Sequence, residues 1–233
     1  MTQTAPKTHT SSLPTLLTRL LSDVRQQGFH HSKCFPEERL LDLSRLLGSP
    51  RGDVRDPRII RVLKPQVSDD APSNTLSSRY GIGAFPFHTE TAYWYRPARF
   101  LVLHCSNPGS GTRPTLLVDT RTWRLDDSER RLLANAAWKV SSKRVFLFSV
   151  LEVGCRERFR FDADCMTPFG EDAVLAQGVL LDKLDCYSKI SITWAVDDLL
   201  VIDNERLLHA RGVSLVPDFD RALRRVLVQE ILQ

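Results

Sequence analysis

Apolar residues recur three and four positions apart in SLPTLLTRLLSDVRQQGF, where Leu16, Leu17, Leu20, Leu21 and Val24 line one side of a predicted helix. Ser12 stands where a cap is needed and Gly28 where the helix must stop. FPEERLLDLSRLLGSP repeats the pattern, with Pro36 in the first turn, acidic residues early, and Leu40, Leu43, Leu46 and Leu47 on one side before Gly48 and Pro50. Residues 1–12 are polar and predicted disordered; 13–48 carry the two amphipathic helices. DPRIIRVLKPQV reads as a strand. Residues 66–80, QVSDDAPSNTLSSRY, gather Asp, Asn74, Ser and Pro into a polar loop, a candidate lid.

From residue 84 the period shortens to two. RFLVLHCS, TLLVD, RVFLFSVLEV, RERFRFD, KISITWAV, DLLVIDNERLLHA and RALRRVLVQEIL read as strands or strand ends, and LDDSERRLLANAAWKV as the main interior helix. Many short strands with few helices predict a mostly β chain with flanking helices (α+β), arranged as a double-stranded β-helix, or jelly-roll, barrel. Residues 13–233 read as one domain.

Composition narrows the function classes. The 233 residues are 42% hydrophobic and carry 32 basic against 28 acidic groups, too even a balance for a nucleic-acid binder. Cys34, Cys105, Cys155, Cys165 and Cys186 are odd in number and none are spaced C-x-x-C, which argues against a disulfide framework or zinc ribbon and for a reducing, cytoplasmic home. The polar N-terminus offers no signal-peptide pattern, and no apolar run is long enough to span a membrane.

FPFHTETAYWY, residues 85–95, then demands a reason for its histidine and glutamate. On a strand, positions two apart share a face, so His88 and Glu90 can converge on one atom while Thr89 points away. A buried carboxylate beside an imidazole is costly without a cation between them. His209, at the end of the apolar strand DNERLLHA, is the candidate third ligand. Two histidines and a carboxylate on one face leave open positions, as in non-haem Fe(II) oxygenases. Zinc uses similar donors, so a zinc or manganese cupin-like hydrolase or isomerase stays open. His9, His30, His31 and His104 read as surface or core residues.

GAFPFHTETAYW with RPARFLVLHC, then GSGTRPTLLVD, then DNERLLHARG with DRALRRVLV, arrive in an order that resembles the taurine dioxygenase and clavaminate synthase family of Fe(II)/2-oxoglutarate-dependent oxygenases. The resemblance covers residues 78–120 and 195–230. H-x-E in place of the commoner H-x-D is similar to the clavaminate synthase branch, which includes amino-acid hydroxylases. The resemblance implies a metal site of His88, Glu90 and His209, with Fe(II), 2-oxoglutarate and O2 as the reacting set. It implies that Arg221 anchors the 5-carboxylate of 2-oxoglutarate, together with the Thr115 hydroxyl, and that Arg225 helps hold an acidic group of the substrate. Arg221 and Arg225 share a strand face, and Arg224 points the other way. Asn204, Arg206 and Asp203 are expected to shape the turn that delivers His209, and Arg211 to lie near the iron or the rim.

Tyr93, Trp94 and Arg79 are candidates for the substrate mouth, the two aromatic residues equally for barrel-wall packing. The expected substrate is a small molecule, an amino acid or similar acid, free or carrier-tethered, in specialised biosynthesis. Neither nucleic acid nor membrane is an expected partner. A non-catalytic binding barrel is the remaining alternative; retention of three ligands with Arg221 and Thr115 argues for the enzyme.

Overall fold

The computed structural model describes residues 12–53, 56–73, 75–110, 113–141, 145–214 and 216–230. Residues 1–11, which hold most of the expected disordered segment and His9, and Asn74 of the candidate lid, lie outside the described residues.

The helices are α1 (Leu13–Gln27), α2 (Leu40–Leu47), α3 (Leu76–Tyr80), α4 (Asp127–Asn135) and α5 (Glu171–Cys186). The strands are β1 (Phe29–Ser32), β2 (Ser49–Arg51), β3 (Ile60–Leu63), β4 (Phe85–His88), β5 (Phe100–Asn107), β6 (Thr115–Asp119), β7 (Trp138–Val140) and β8 (Phe146–Phe148). They continue as β9 (Leu151–Glu152), β10 (Arg158–Phe159), β11 (Met166–Pro168), β12 (Ile190–Ile192), β13 (Leu199–Asp203), β14 (Leu207–Arg211) and β15 (Ala222–Gln229).

Two antiparallel sheets carry the fold. The major one runs β1-β13-β5-β15-β2, with β3 also on β15; the minor one runs β12-β6-β14-β4. Alternation along the strands sorts side chains into layers. Leu101, Leu103 and Cys105 of β5, Leu200 and Ile202 of β13, and Leu223 and Leu227 of β15 meet Leu117 of β6, Ile192 of β12 and Leu207 of β14 between the sheets. Each fully buried Leu or Ile there contributes roughly 1.5–3 kcal/mol. The intervening residues Val102, Val201 and Val226 face outward onto Leu20 and Val24 of α1 and Leu40 and Leu43 of α2. Behind the minor sheet, Val118 and Leu208 pack with Trp138, Leu133 of α4, and Ala173, Ala176 and Leu180 of α5.

The helical predictions at the N-terminus hold. Gly28 ends α1 in the left-handed region at φ 84°, its N–H donating to the Val24 carbonyl at 2.9 Å. A Cβ there would stand 2.9 Å from Cγ of Leu207 and 3.1 Å from Nε of Arg206, so glycine is required twice over. Arg206 explains the close approach. Its Nε and Nη2 donate to Asp119 at 2.9 and 2.5 Å, and Nη1 and Nη2 donate to the Arg25 and Gln26 carbonyls at 3.1 Å each. The end of α1 is thereby capped from the turn that leads into β14.

Other expectations need correction. The interior helix stops at Asn135, and Trp138–Val140 form a strand instead of its continuation. The longest helix, α5, falls where no helix was expected. Its buried residues Ala173, Ala176, Leu180 and Leu184 coexist with exposed Val174, Leu175 and Leu181, so apolar residues surround the axis and blur the period. The loop 66–80 contains a 3-10 turn at Ser68–Asp70 and the short α3, whose Ser78 N–H donates to the capping Thr75 hydroxyl at 3.2 Å. The five cysteines are free, and no helix among the described residues is long and apolar enough to cross a membrane.

Candidate metal centre

β4 ends on His88, whose backbone is the register partner of His209 on β14. Their rings lie 4.2 Å apart between centroids. A carbonyl can only accept, so the 3.0 Å contact between His88 Nδ1 and the Pro86 oxygen puts the proton on Nδ1 and leaves the Nε2 lone pair free.

Glu90 arrives by a different route from the one expected. The strand stops at His88, and Glu90 opens a turn in which Thr91 takes φ 58°. Thr89 leaves the sheet pairing: its N–H donates to the Phe161 carbonyl at 2.6 Å, and its hydroxyl accepts from the Phe161 N–H at 3.1 Å. The turn is pinned by Asn204. Its Oδ1 accepts the Glu90 N–H at 2.8 Å, and its Nδ2 donates to the Glu90 and Ala98 carbonyls at 3.0 and 2.8 Å. The shared face is reached, but through a turn held by a distant asparagine.

The candidate ligand atoms of His88, Glu90 and His209 all lie within 4.8 Å of one another. Glu90 Oε2 stands 3.7 Å from His209 Nε2, while Oε1 accepts from Arg225 Nη1 at 2.7 Å. An ion about 2.1 Å from each donor would require the widest pair to close by about 1.5–2 Å. Two neutral imidazole donors and one carboxylate suit a borderline divalent ion, so the donor set fits ferrous iron.

The electrostatics agree with that use. Burial alone would raise the Glu90 carboxyl, but Arg225, His209 and His88 overcome it and hold it far below the usual carboxylate range. Burial, with His88 alongside, pushes His209 down to about 4 against the opposing pull of Glu90. Glu90 is therefore ionised and His209 a neutral imidazole at neutral pH, the forms that bind a metal.

A second polar region lies along the same face. On β14, Arg211 follows His209 by two residues, about 7 Å of strand, and its backbone pairs with Thr115 of β6. Thr115 is buried, and its hydroxyl accepts from Trp194 Nε1 at 3.1 Å. Arg221 is 5% exposed and its Nε has no hydrogen-bond partner among the described residues. Burial, with Arg113 nearby, pushes it down to about 10, with Asp218 opposing. An unpartnered buried guanidinium fits the terminal carboxylate of 2-oxoglutarate.

Arg225 shares the inner face with Arg221, and Arg224 points outward to Glu37 at 2.6 Å, as the strand period predicts. Tyr93 packs against the outer core of the minor sheet and donates to the Asp53 carboxylate; Trp94 packs with the residues between the sheets. Arg79 pairs with Asp164 at 2.5 Å and stands beside an open cleft along Val67, Ser68 and Gly81–Gly83. Asp203 pairs with Arg99, and Arg206 grips α1 as described, so both support the His209 strand from outside the centre. Arg211 donates to the Gly81 and Gly83 carbonyls at 2.5 and 2.8 Å, tying the end of the 66–83 segment to the ligand-bearing strand.

Sequence reasoning passed over three buried charged residues. Asp162 is buried and raised by that burial, and it follows the Phe161 whose backbone pairs with Thr89, between His88 and Glu90. Arg113 and Asp218 flank Arg221. Each stands in a stretch read as strand or turn, with no local spacing to mark it.

No protein-family model matches the chain, and no curated protein matches it. Among solved structures it is similar to an asparagine oxygenase in complex with Fe(II), (2S,3S)-3-hydroxyasparagine and succinate, at TM-score 0.76 and 20% identity, covering 93% of this chain and 79% of that one. It is similar to the non-haem iron oxygenase OrfP with Fe, succinate and (3S)-hydroxy-L-Arg, at TM-score 0.75 and 20% identity, covering 94% and 81%. OrfP with Fe and alpha-ketoglutaric acid gives TM-score 0.72 at 20% identity, covering 94% and 80%. The chain therefore has the fold of these non-haem iron oxygenases.

Proposed function

We propose that this chain, which has the fold of non-haem iron oxygenases, is an Fe(II)/2-oxoglutarate-dependent dioxygenase that hydroxylates an amino acid or similar small acid, free or tethered, in specialised biosynthesis. Residues 13–233 read as its catalytic domain, with the major and minor sheets as the two walls of a jelly roll. One observation carries the reading: His88, Glu90 and His209 converge from β4, the turn after it and β14, with a buried Arg221, its Nε unpartnered among the described residues, farther along the same inner face.

When bound, ferrous iron with 2-oxoglutarate and O2 supplies the oxidation that hydroxylates a C–H bond and releases succinate and carbon dioxide. The chain's residues supply place and orientation. His88 offers Nε2 because Pro86 holds its other nitrogen. Glu90 offers Oε2 because Arg225 holds Oε1. Arg221 and Thr115 receive the distal carboxylate of the co-substrate, fixing its keto-acid end toward the metal.

An amino acid carries both charges, and the centre has groups of both signs beyond the metal ligands. Arg225 keeps a buried Nε without a partner among the described residues, a donor for the substrate's carboxylate. Asp162, next to the Phe161 that pairs with Thr89, is a buried carboxyl that an ammonium group could meet. The relatives in complex with hydroxyasparagine and hydroxyarginine fit that substrate class.

The test is a screen of amino acids and small acids for stimulated succinate release with Fe(II) and 2-oxoglutarate. Succinate above background, lost when Zn(II) replaces Fe(II), supports the reading. No succinate under any condition, with chemistry supported by Zn(II) or Mn(II) alone, replaces it with the hydrolase or isomerase alternative.

A further inference from the structure

Two buried guanidiniums share one buried carboxylate at the far end of the inner face. Arg113 is 3% exposed, Arg221 5% and Asp218 2%. Arg113 Nε stands 3.7 Å from Asp218 Oδ2, too far for a hydrogen bond. Arg113 Nε, Arg221 Nε and Asp218 Oδ2 all lack a hydrogen-bond partner among the described residues.

The three groups are fixed in this state by their surroundings. Arg113 Nη1 donates to the Gly83 and Gly212 carbonyls at 3.2 and 3.3 Å. Asp218 Oδ1 accepts the Ser110 N–H at 2.8 Å, and a Cβ on Gly109 would run into the same carboxylate. Asp218 is thus locked where it can satisfy neither arginine fully. Arg211, which feels the charge of both arginines, adds a third cation, so positive charge outnumbers the single carboxylate, and a buried surplus charge is costly unless an anion arrives. Arg113 lies two residues before Thr115, so its position belongs to the region already assigned to the co-substrate tail.

We propose that Arg113 and Arg221 together clamp the distal carboxylate of the co-substrate, with Asp218 as a resident counter-ion that limits how tightly it is held. The inference rests on the co-substrate reading above. A carboxylate between the two arginines offsets part of the surplus positive charge and takes up both free Nε donors. Burial lowers the affinity of Arg113 for its proton against the pull of Asp218, and burial with Arg113 alongside does the same to Arg221.

Calorimetric titration of the full chain, loaded with Co(II) under anaerobic conditions, tests this with two ligands. 2-Oxoglutarate carries the distal carboxylate; 2-oxobutyrate has the same keto-acid head without it. Arg113→Gln should weaken 2-oxoglutarate about 10- to 100-fold and leave 2-oxobutyrate unchanged, the loss expected for charge-assisted bonds. Arg113→Lys should fall between, keeping charge but losing the fork. Asp218→Asn, which keeps the acceptor for Ser110 and removes the competing charge, should bind 2-oxoglutarate several-fold more tightly. Equal losses for both ligands in Arg113→Gln, or weaker 2-oxoglutarate binding in Asp218→Asn, overturn the proposal. A wild-type chain that binds the two ligands alike instead overturns the co-substrate reading on which it stands.

Discussion

Replacing Asn204 by alanine should loosen the carboxylate ligand without touching a metal donor. Asn204 is 1% exposed and makes three hydrogen bonds, to the N–H and carbonyl of Glu90 and to the carbonyl of Ala98. Each is worth about 1 kcal/mol net, and each buried group left unpaired costs about 1–3 kcal/mol. The Glu90 carbonyl keeps the Thr91 hydroxyl at 2.6 Å, so the heavier loss falls on the Glu90 N–H and the Ala98 carbonyl. The sum is about 3–5 kcal/mol, a large share of the 5–15 kcal/mol that holds an ordinary domain. Because the turn that carries Glu90 is then free to drift, metal affinity should fall about 10- to 100-fold. Urea unfolding of the metal-free protein measures the first effect, and Co(II) titration followed by its visible bands measures the second. A stability loss under about 1 kcal/mol with unchanged Co(II) affinity would refute the reasoning, since the turn would then be held by something else.

His88→Ala and His209→Ala should each abolish Fe(II) binding, and Glu90→Ala should abolish hydroxylation; full iron content in either histidine variant would remove it from the ligand set. Arg221→Ala should raise the 2-oxoglutarate concentration needed for turnover by about 100-fold or more while iron content stays whole, as loss of a buried charge-assisted pair implies. For pH, His209 is held near 4 while an unfolded histidine titrates near 6.5. As pH falls the unfolded chain binds its proton first, so this group's contribution is intact above about 6.5 and lost down to about 4, by about 3 kcal/mol. Urea midpoints of the metal-free protein should trace that decline, and His209→Asn should flatten it; an unaltered profile in the variant assigns the decline to other groups.

Much of this arrangement was readable because it is local. The helix period places Leu20, Val24, Leu40 and Leu43 against the major sheet, and the strand period turns Arg221 and Arg225 inward while Arg224 turns out. His88, Glu90 and His209 were legible as donor types in a recognisable order. What the period could not show was how Glu90 reaches the centre, because the turn depends on Phe161 and Asn204, residues far off in sequence. Helix α5 was hidden for a different reason: Val174, Leu175 and Leu181 stay exposed, so no apolar stripe marks it. Arg113 and Asp218 meet only when the segments before β6 and β15 are brought together, and Asp162 reaches the neighbourhood of Thr89 only through the Phe161 pairing, so no short stretch of sequence contains either meeting.

The grip of Arg206 on the last carbonyls of α1 gives the N-terminal helix a stake in the chemistry. α1 packs on the outer side of the major sheet, away from the candidate metal ligands, yet Arg206 stands three positions ahead of His209 and gives two of its four hydrogen bonds to that helix end. Anyone shortening this protein from its front would therefore be editing the footing of the distal histidine, and a minimal version that begins at β1 would leave Arg206 two anchoring bonds short, with water in place of fixed carbonyls.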